Sequence, residues 1–357
     1  DSRVLGPRPP RTGPACFSRA CASFGGFATG DVLYLGVLRD KLSDLTDWAY
    51  ERTLDINVIA SFGKAGYYMR ARYFEPGAVD VDMSGRVCVV SGANGGIGFA
   101  TSRELAERGA TVYLLCRNRE RGQAAVDEIR AATGNDSVHL AVVDVSENES
   151  LRAFASGFTE ERVDVLVNNA GILPDERQVN SQGMELTWAT NLVGAHLLLK
   201  LLRPKLEAAG GRVIMVSSGG MYLRKLSVAN WASEKGSFDG VAAYAQSKRG
   251  MVILAEEWAQ RLEDSGVVVN AMHPGWVDTP GVQASLPRFY WLTKSILRDR
   301  RQGADTIVWL AVSDEAATVT GKFFFDREAR RTQLLPWTRE SKDERARLWQ
   351  LLEDQSG

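Results

Sequence analysis

The chain has 357 residues, 45% apolar and 24% charged, with a formal net charge of −1 at pH 7. That is room for one large α/β domain with extensions, or for two modest domains, in an ordinary globular composition. The charge balance and the lack of a lysine–arginine block give no electrostatic footing for nucleic acid, and no apolar run reaches the roughly 18 residues of a membrane-spanning helix.

Residues 1–30 carry four arginines against one acidic residue, diluted in Pro, Gly, Ser and Ala, and cannot build a core. This composition fits an organelle transit leader, mitochondrial before chloroplast, or a disordered tail on a cytoplasmic protein. Residues 31–82 read as a helical, aromatic extension. Asp31 could cap "DVLYLGVLRDKLSDLTDWAYERTL", and "INVIASFGKAGYYMRARYF" follows. The Phe, Tyr, Lys and Arg of "FGKAGYYMRARYF" suit the protein's own domain, a membrane surface or a partner assembly, and composition leaves all three open.

From residue 83 the pattern changes to short β-branched runs alternating with longer amphipathic ones. Strands are expected at 87–91, 111–116, 138–143, 163–167, 212–216 and 267–271, with helices between them such as 101–108 and 241–262. Near-continuous apolar strands alternating with helices predict a doubly wound parallel sheet covered on both faces, a Rossmann-type α/β domain over residues 83–337. Cys88 and Cys116 fall inside strand runs as small core filler. Neither the cysteines nor His139, His196 and His273 have metal-ligand spacing. Residues 338–357 predict a docking helix, with Ser341 and Glu344 at capping-box spacing ahead of Leu348, Leu351 and Leu352.

The first strand runs into "SGANGGIGFATSRELAERG", a Gly-x3-Gly-x-Gly turn of Gly92, Gly96 and Gly98 between a strand and a helix. Glycines there allow a sharp turn and close approach of a pyrophosphate to the helix N-terminus. The second strand ends at Arg117, where an acid would bind the ribose hydroxyls of NAD and an arginine suits a 2′-phosphate; a solvated basic turn is the plain alternative. Asp144 ends the third strand, and Asn168, Asn169, Ala170 and Gly171 end the fourth. In "YAQSKR", Tyr244 and Lys248 lie one helical turn apart on the same face. A nearby ammonium favours a phenolate, so the pair could make Tyr244 an acid–base group. "YWLTK" repeats the spacing with Tyr290 and Lys294, so the pair alone decides nothing.

This ordered set resembles the short-chain dehydrogenase/reductase family over about residues 83–325. Ser91 stands where the family usually has threonine and keeps the hydroxyl. The resemblance implies a catalytic tetrad of Asn191, Ser218, Tyr244 and Lys248. It implies a nicotinamide dinucleotide, NADP(H) rather than NAD(H), held by Ser91, Gly92, Asn94, Gly96, Ile97, Gly98, Arg117, Asp144, Val145, Asn169, Ala170, Gly171, Tyr244 and Lys248, and by Pro274, Gly275, Val277 and Thr279 after the sixth strand. Choosing Ser218 over its neighbour Ser217 rests on the resemblance. Tyr290 and Lys294 then fall in a segment that covers the substrate.

The expected reaction is hydride transfer between nicotinamide and a carbonyl or carbinol carbon, with Tyr244 as acid or base, Ser218 bonding the substrate oxygen, Lys248 lowering the tyrosine pKa, and Asn191 anchoring a proton-relay water. Phe289, Tyr290, Trp291, Leu292, Ile296 and Leu297, with Tyr222 and Trp231, could line the pocket for a lipophilic substrate; the alternative is that they form a homo-oligomer interface or dock terminal helices. A second function class stays open: an accessory subunit of a larger organellar assembly that holds a nucleotide structurally.

Overall fold

A computed structural model describes residues 61–334 and 338–357. The expected leader, the Asp31 cap and the rest of the extension up to residue 60 lie outside the described residues.

Eight short runs form one sheet: β1 (Val87–Ser91), β2 (Thr111–Cys116), β3 (Val138–Val142), β4 (Val165–Asn168), β5 (Arg212–Val216), β6 (Val268–Met272), β7 (Phe323–Phe325) and β8 (Glu328–Arg330). Their order is β3-β2-β1-β4-β5-β6-β7-β8, parallel throughout except for the antiparallel β7–β8 hairpin at one edge. Strand alternation divides the core. Val87, Val89, Leu166, Val213 and Met215 point to one face, and Cys88, Val90, Val165, Val167 and Ile214 to the other. Both faces are buried, so the strands read as continuous apolar runs.

Helix α1 (Lys64–Ala71) precedes the sheet. Helices α2 (Gly96–Glu107) and α3 (Arg119–Thr133) cover the second face with Leu105, Val126 and Ile129. Asn118 caps α3 by accepting from Arg121 N at 2.8 Å, and Gly134 ends it in the left-handed region. The first face is covered by α4 (Asn148–Gly157), α5 (Gly194–Ala209) and α6 (Gly240–Arg261), with Leu151, Leu197, Leu198 and Ile253 among the enclosed side chains. Each such leucine or isoleucine contributes about 2 kcal/mol. Beyond β6 come α7 (Pro280–Ser285), α8 (Pro287–Thr293) and α9 (Arg300–Val312), the last opened by an Asp299–Gln302 capping box. The final helix, α10 (Lys342–Ser356), has the Ser341–Glu344 box and buries Leu348 and Leu352 against the first face, whereas Leu351 is half-buried.

Chain direction reverses its order of addition between β1 and β4. Such a switch point leaves a crevice at the strand carboxyl ends, where open α/β sheets bind ligands.

Candidate active site

The crevice is framed before it is furnished. Ser91 ends β1 buried, and its hydroxyl donates to Val167 O at 3.3 Å and accepts from the amides of Asn169 and Ala170 at 3.0 and 3.1 Å. The Ser91 side chain thus ties β1 to the end of β4 at the edge of the crevice. The Asn169 amide group donates to Ser91 O at 2.9 Å and Gly92 O at 3.2 Å, fixing the glycine turn from the side. Gly92 has φ +65°, and a Cβ there would lie 2.9 Å from Ala170 Cα, so both conformation and space demand glycine. Asn168 is a packing residue whose amide donates to Ala195 O at 3.3 Å.

At the start of α2, no side chain caps the helix, the first turn holds no acid, and Gly95 faces open space. The helix N-terminus, with Gly96, Ile97 and Gly98 in its first turn and Asn94 exposed before it, is therefore suited to an anionic group. Gly96 lies opposite Thr279, with 3.4 Å from an ideal Cβ to Thr279 Cγ2. Arg117 is exposed at the end of β2 and makes no ion pair among the described residues. Asp144 turns its carboxylate to Ser146 N and Oγ at 2.9 and 2.7 Å, and Val145 follows half-buried.

On the other side of the crevice, Val277 is buried and forms a parallel bridge with Arg298. The bridge bonds run from Arg298 N to Trp276 O (2.8 Å) and from Asp278 N to Arg298 O (2.9 Å). The amide and carbonyl of Val277 itself point the other way and are unbonded among the described residues. One free donor and one free acceptor side by side fit a carboxamide. Pro274 and Gly275 shape the preceding turn, Gly275 at φ +77°. Together the α2 terminus, Arg117, the Asn169–Gly171 strand end and this loop could hold a dinucleotide.

The four tetrad residues converge. The Ser218 side chain neighbours the Tyr244 phenol and favours its ionised form, and its hydroxyl accepts from Gly220 N at 3.3 Å. Lys248, one turn along α6, is buried, and its Nζ donates to Val216 O at 2.7 Å while lying 5.6 Å from the Tyr244 ring centre. Gly171 borders both Lys248 and Asn191, with 3.1 Å from an ideal Cβ to Lys248 Nζ and 3.4 Å to Asn191 Oδ1. Asn191 sits in a π-turn, Ala189–Val193, accepts from Ile172 N at 2.9 Å and donates to Ser247 Oγ at 2.9 Å. Irregular turns of this kind concentrate at functional sites. Ser247 was missed from the sequence although it lies within "YAQSKR"; its place between Tyr244 and Lys248 on a helix was the available signal. It links Asn191 to Tyr244 O (2.8 Å).

Electrostatics depart from the expectation in one respect. Burial raises the Tyr244 phenol above its ordinary value, only partly opposed by the Ser218 side chain. Burial also pushes Lys248 down to about 7, so it is a weaker cation than the sequence pair implied. Tyr222 is another correction. Its ring packs against Phe323 and His273, and its hydroxyl donates to Arg331 O at 3.0 Å, so it faces the sheet rather than the pocket. Trp231 packs half-buried near Trp188. Tyr290 lies within α8 and Lys294 just past its end.

The family described as short chain dehydrogenase matches residues 86–288. The chain belongs to the short-chain dehydrogenase/reductase family, and is thereby an oxidoreductase acting on CH–OH or C=O groups. It is 41% identical over 300 residues to "Dehydrogenase/reductase SDR family member 12" of Bos taurus, covering 83% of this chain and 94% of the relative. It is 38% identical over 251 residues to "Retinol dehydrogenase 11" of Homo sapiens, covering 69% and 79%. Among solved structures it resembles a protein assigned as an NAD(P)-dependent gluconate 5-dehydrogenase from Beutenbergia cavernae, with NADP bound at low occupancy (29% identity, TM-score 0.56, 68% of this chain and 95% of that one).

Proposed function

We propose that the protein is an NADP(H)-dependent reductase or dehydrogenase of a lipophilic carbonyl–alcohol pair, with Tyr244 as its general acid and base. The observation that carries this reading is the convergence of Tyr244, Lys248 and Asn191, with Lys248 Nζ buried 5.6 Å from the Tyr244 ring centre and Gly171 bordering both Lys248 and Asn191, beside the Ser218 side chain. The bound dinucleotide would supply or accept a hydride at its nicotinamide ring. Ser218 then bonds the substrate oxygen where charge develops, and Tyr244 gives that oxygen its proton during reduction or takes it during oxidation. Lys248 orients the cofactor ribose beside Tyr244, and Asn191, held in place by Ser247 and the Ile172 backbone, anchors a proton-relay water.

The NADP(H) preference is supported by Arg117 at the ribose end of β2, exposed and unpaired among the described residues. The lipophilic class is supported by the retinol dehydrogenase relatives and by α8, where Phe289 meets Trp276 edge-on at 5.1 Å and Trp291 and Leu292 stand 70% exposed. The test is NADPH consumption by the purified protein across aldehydes and ketones of increasing apolar size, with Tyr244→Phe alongside. The expected result is turnover that rises with apolar size and falls about 100- to 10,000-fold in the variant. NADPH binding without turnover of any carbonyl would overturn the reading in favour of a structural nucleotide.

A further inference from the structure

We infer that Phe62, which lies before the matched dehydrogenase region, is a positioning residue that fixes the Ser218 turn against the 274–276 turn. The inference rests on the reading of function above, because those two turns carry the substrate-oxygen side and the nicotinamide side of the proposed reaction.

Phe62 touches both turns at once. Its ring edge lies against Gly219, the residue after Ser218, so closely that a Cβ there would sit 2.4 Å from Phe62 Cε2. The same ring stands 4.7 Å from His273 and 6.0 Å from Trp276. Its carbonyl accepts from Trp276 N at 2.9 Å and from Arg298 Nε at 2.9 Å. Arg298 in turn fills the space beside Gly275, where a Cβ would lie 2.5 Å from Nε and 2.7 Å from Phe62 O. One residue of the extension thus supplies a wedge between the turns and a backbone bond that shapes one of them.

The wedge is held rigidly. Asp326, in the β7–β8 turn, accepts from Arg298 at 2.5 and 2.8 Å and from Arg70 on α1 at 3.0 Å. Arg70 also donates to Ser61 Oγ at 2.6 Å, and Arg298 to Ser61 O at 3.1 Å. The three charged residues are 5% exposed or less. Buried charges of this kind contribute little net stability against an apolar replacement, but their directional bonds admit one register. Here the register places Ser61 and Phe62. A displacement of about 1 Å between reacting groups can lower turnover about 100-fold, so a residue that sets this spacing acts on rate without touching substrate.

The test is a double-mutant cycle on the full chain with Phe62→Ala and Gly219→Ala, read as kcat and KM separately. Gly219 is outside the left-handed region, so alanine there meets Phe62 and no backbone restriction. Expected are a tenfold to 100-fold fall in kcat for each single variant, smaller changes in KM, and a double variant little worse than Phe62→Ala alone. Phe62→Leu, which keeps an apolar wedge and serves if Phe62→Ala does not fold, should recover most of kcat and remain sensitive to Gly219→Ala. Unchanged kcat in the Phe62 variants, or strictly additive losses, would overturn the inference while leaving the function standing. A wild type that turns over no carbonyl would overturn the reading of function instead.

Discussion

Ser217 and Ser218 are adjacent, equal in chemistry and opposite in occupation. Ser217 is buried and donates to Lys248 O at 2.7 Å, whereas Ser218 is half-buried beside Tyr244, whose ionised form it favours. Ser218→Ala should therefore lower kcat about 100-fold or more with little loss of stability. Ser217→Ala should instead lower the melting temperature, by about 1–3 kcal/mol of unfolding free energy. Steady-state kinetics beside thermal melts separates the two. At the adenosine end, Arg117→Asp should reverse cofactor preference. A charged hydrogen bond of about 1.5–3 kcal/mol corresponds to a loss of roughly 10- to 100-fold in relative NADPH affinity. Equal affinities for NADPH and NADH in wild type would contradict the role of Arg117. Lys248 gives a pH signature. Its folded value is near 7 against an ordinary 10.5, so unfolding takes up a proton between those limits and stability rises with pH across that window. The slope is at most about 1.4 kcal/mol per pH unit. Lys248→Met removes it, so the variant's advantage in the cofactor-free protein should shrink from pH 7 to pH 9; a constant difference would contradict the burial argument.

Among the elements, α10 is a docking helix whose grip is testable. Leu352 is fully buried against the first face of the sheet, and Trp349 stacks under Arg261 at 3.6 Å. Leu352→Ala should lower unfolding free energy by about 2–5 kcal/mol and leave KM for NADPH unchanged. The capping box of α10 was legible because Ser341 and Glu344 are local. So were β1, β2 and β5, whose buried β-branched runs have the expected bounds. The fourth strand begins at Val165 rather than 163 because the Asp164 carboxylate takes the Val87 amide at 2.9 Å, a contact far apart in sequence. The β7–β8 hairpin was not anticipated. Its strands have three residues each, and its turn places Asp326 and Arg327 at φ 50° and 63° without the glycine or asparagine that signals such a turn. Helix α1 lies within the expected run, whose first residues are outside the described ones, and Phe62, Arg70 and Tyr67 all meet the dehydrogenase domain. Composition left that packing among several readings because its partners, Asp326 and Asp305, lie more than 200 positions away in the sequence.

Across the molecule, the sheet order sets where chemistry can happen, and the pieces before and after the sheet set how firmly. The strand ends and the helix face that carry the proposed tetrad and the glycine turn were readable because their residue types and spacing are local in the sequence. The buried Arg70–Asp326–Arg298 cluster was not, since nothing local marks three charges as neighbours. Asp326→Ala would leave two buried guanidiniums without their carboxylate, and should lower stability by about 3–5 kcal/mol. The central claim is hydride transfer at the Ser218–Tyr244–Lys248 site, and nicotinamide-deuterated NADPH tests it most directly. After incubation with a lipophilic aldehyde, wild type should yield an alcohol carrying deuterium on its carbinol carbon, and Tyr244→Phe almost none. Bound NADPH with no deuterium in any product, or equal transfer by the variant, would contradict the account.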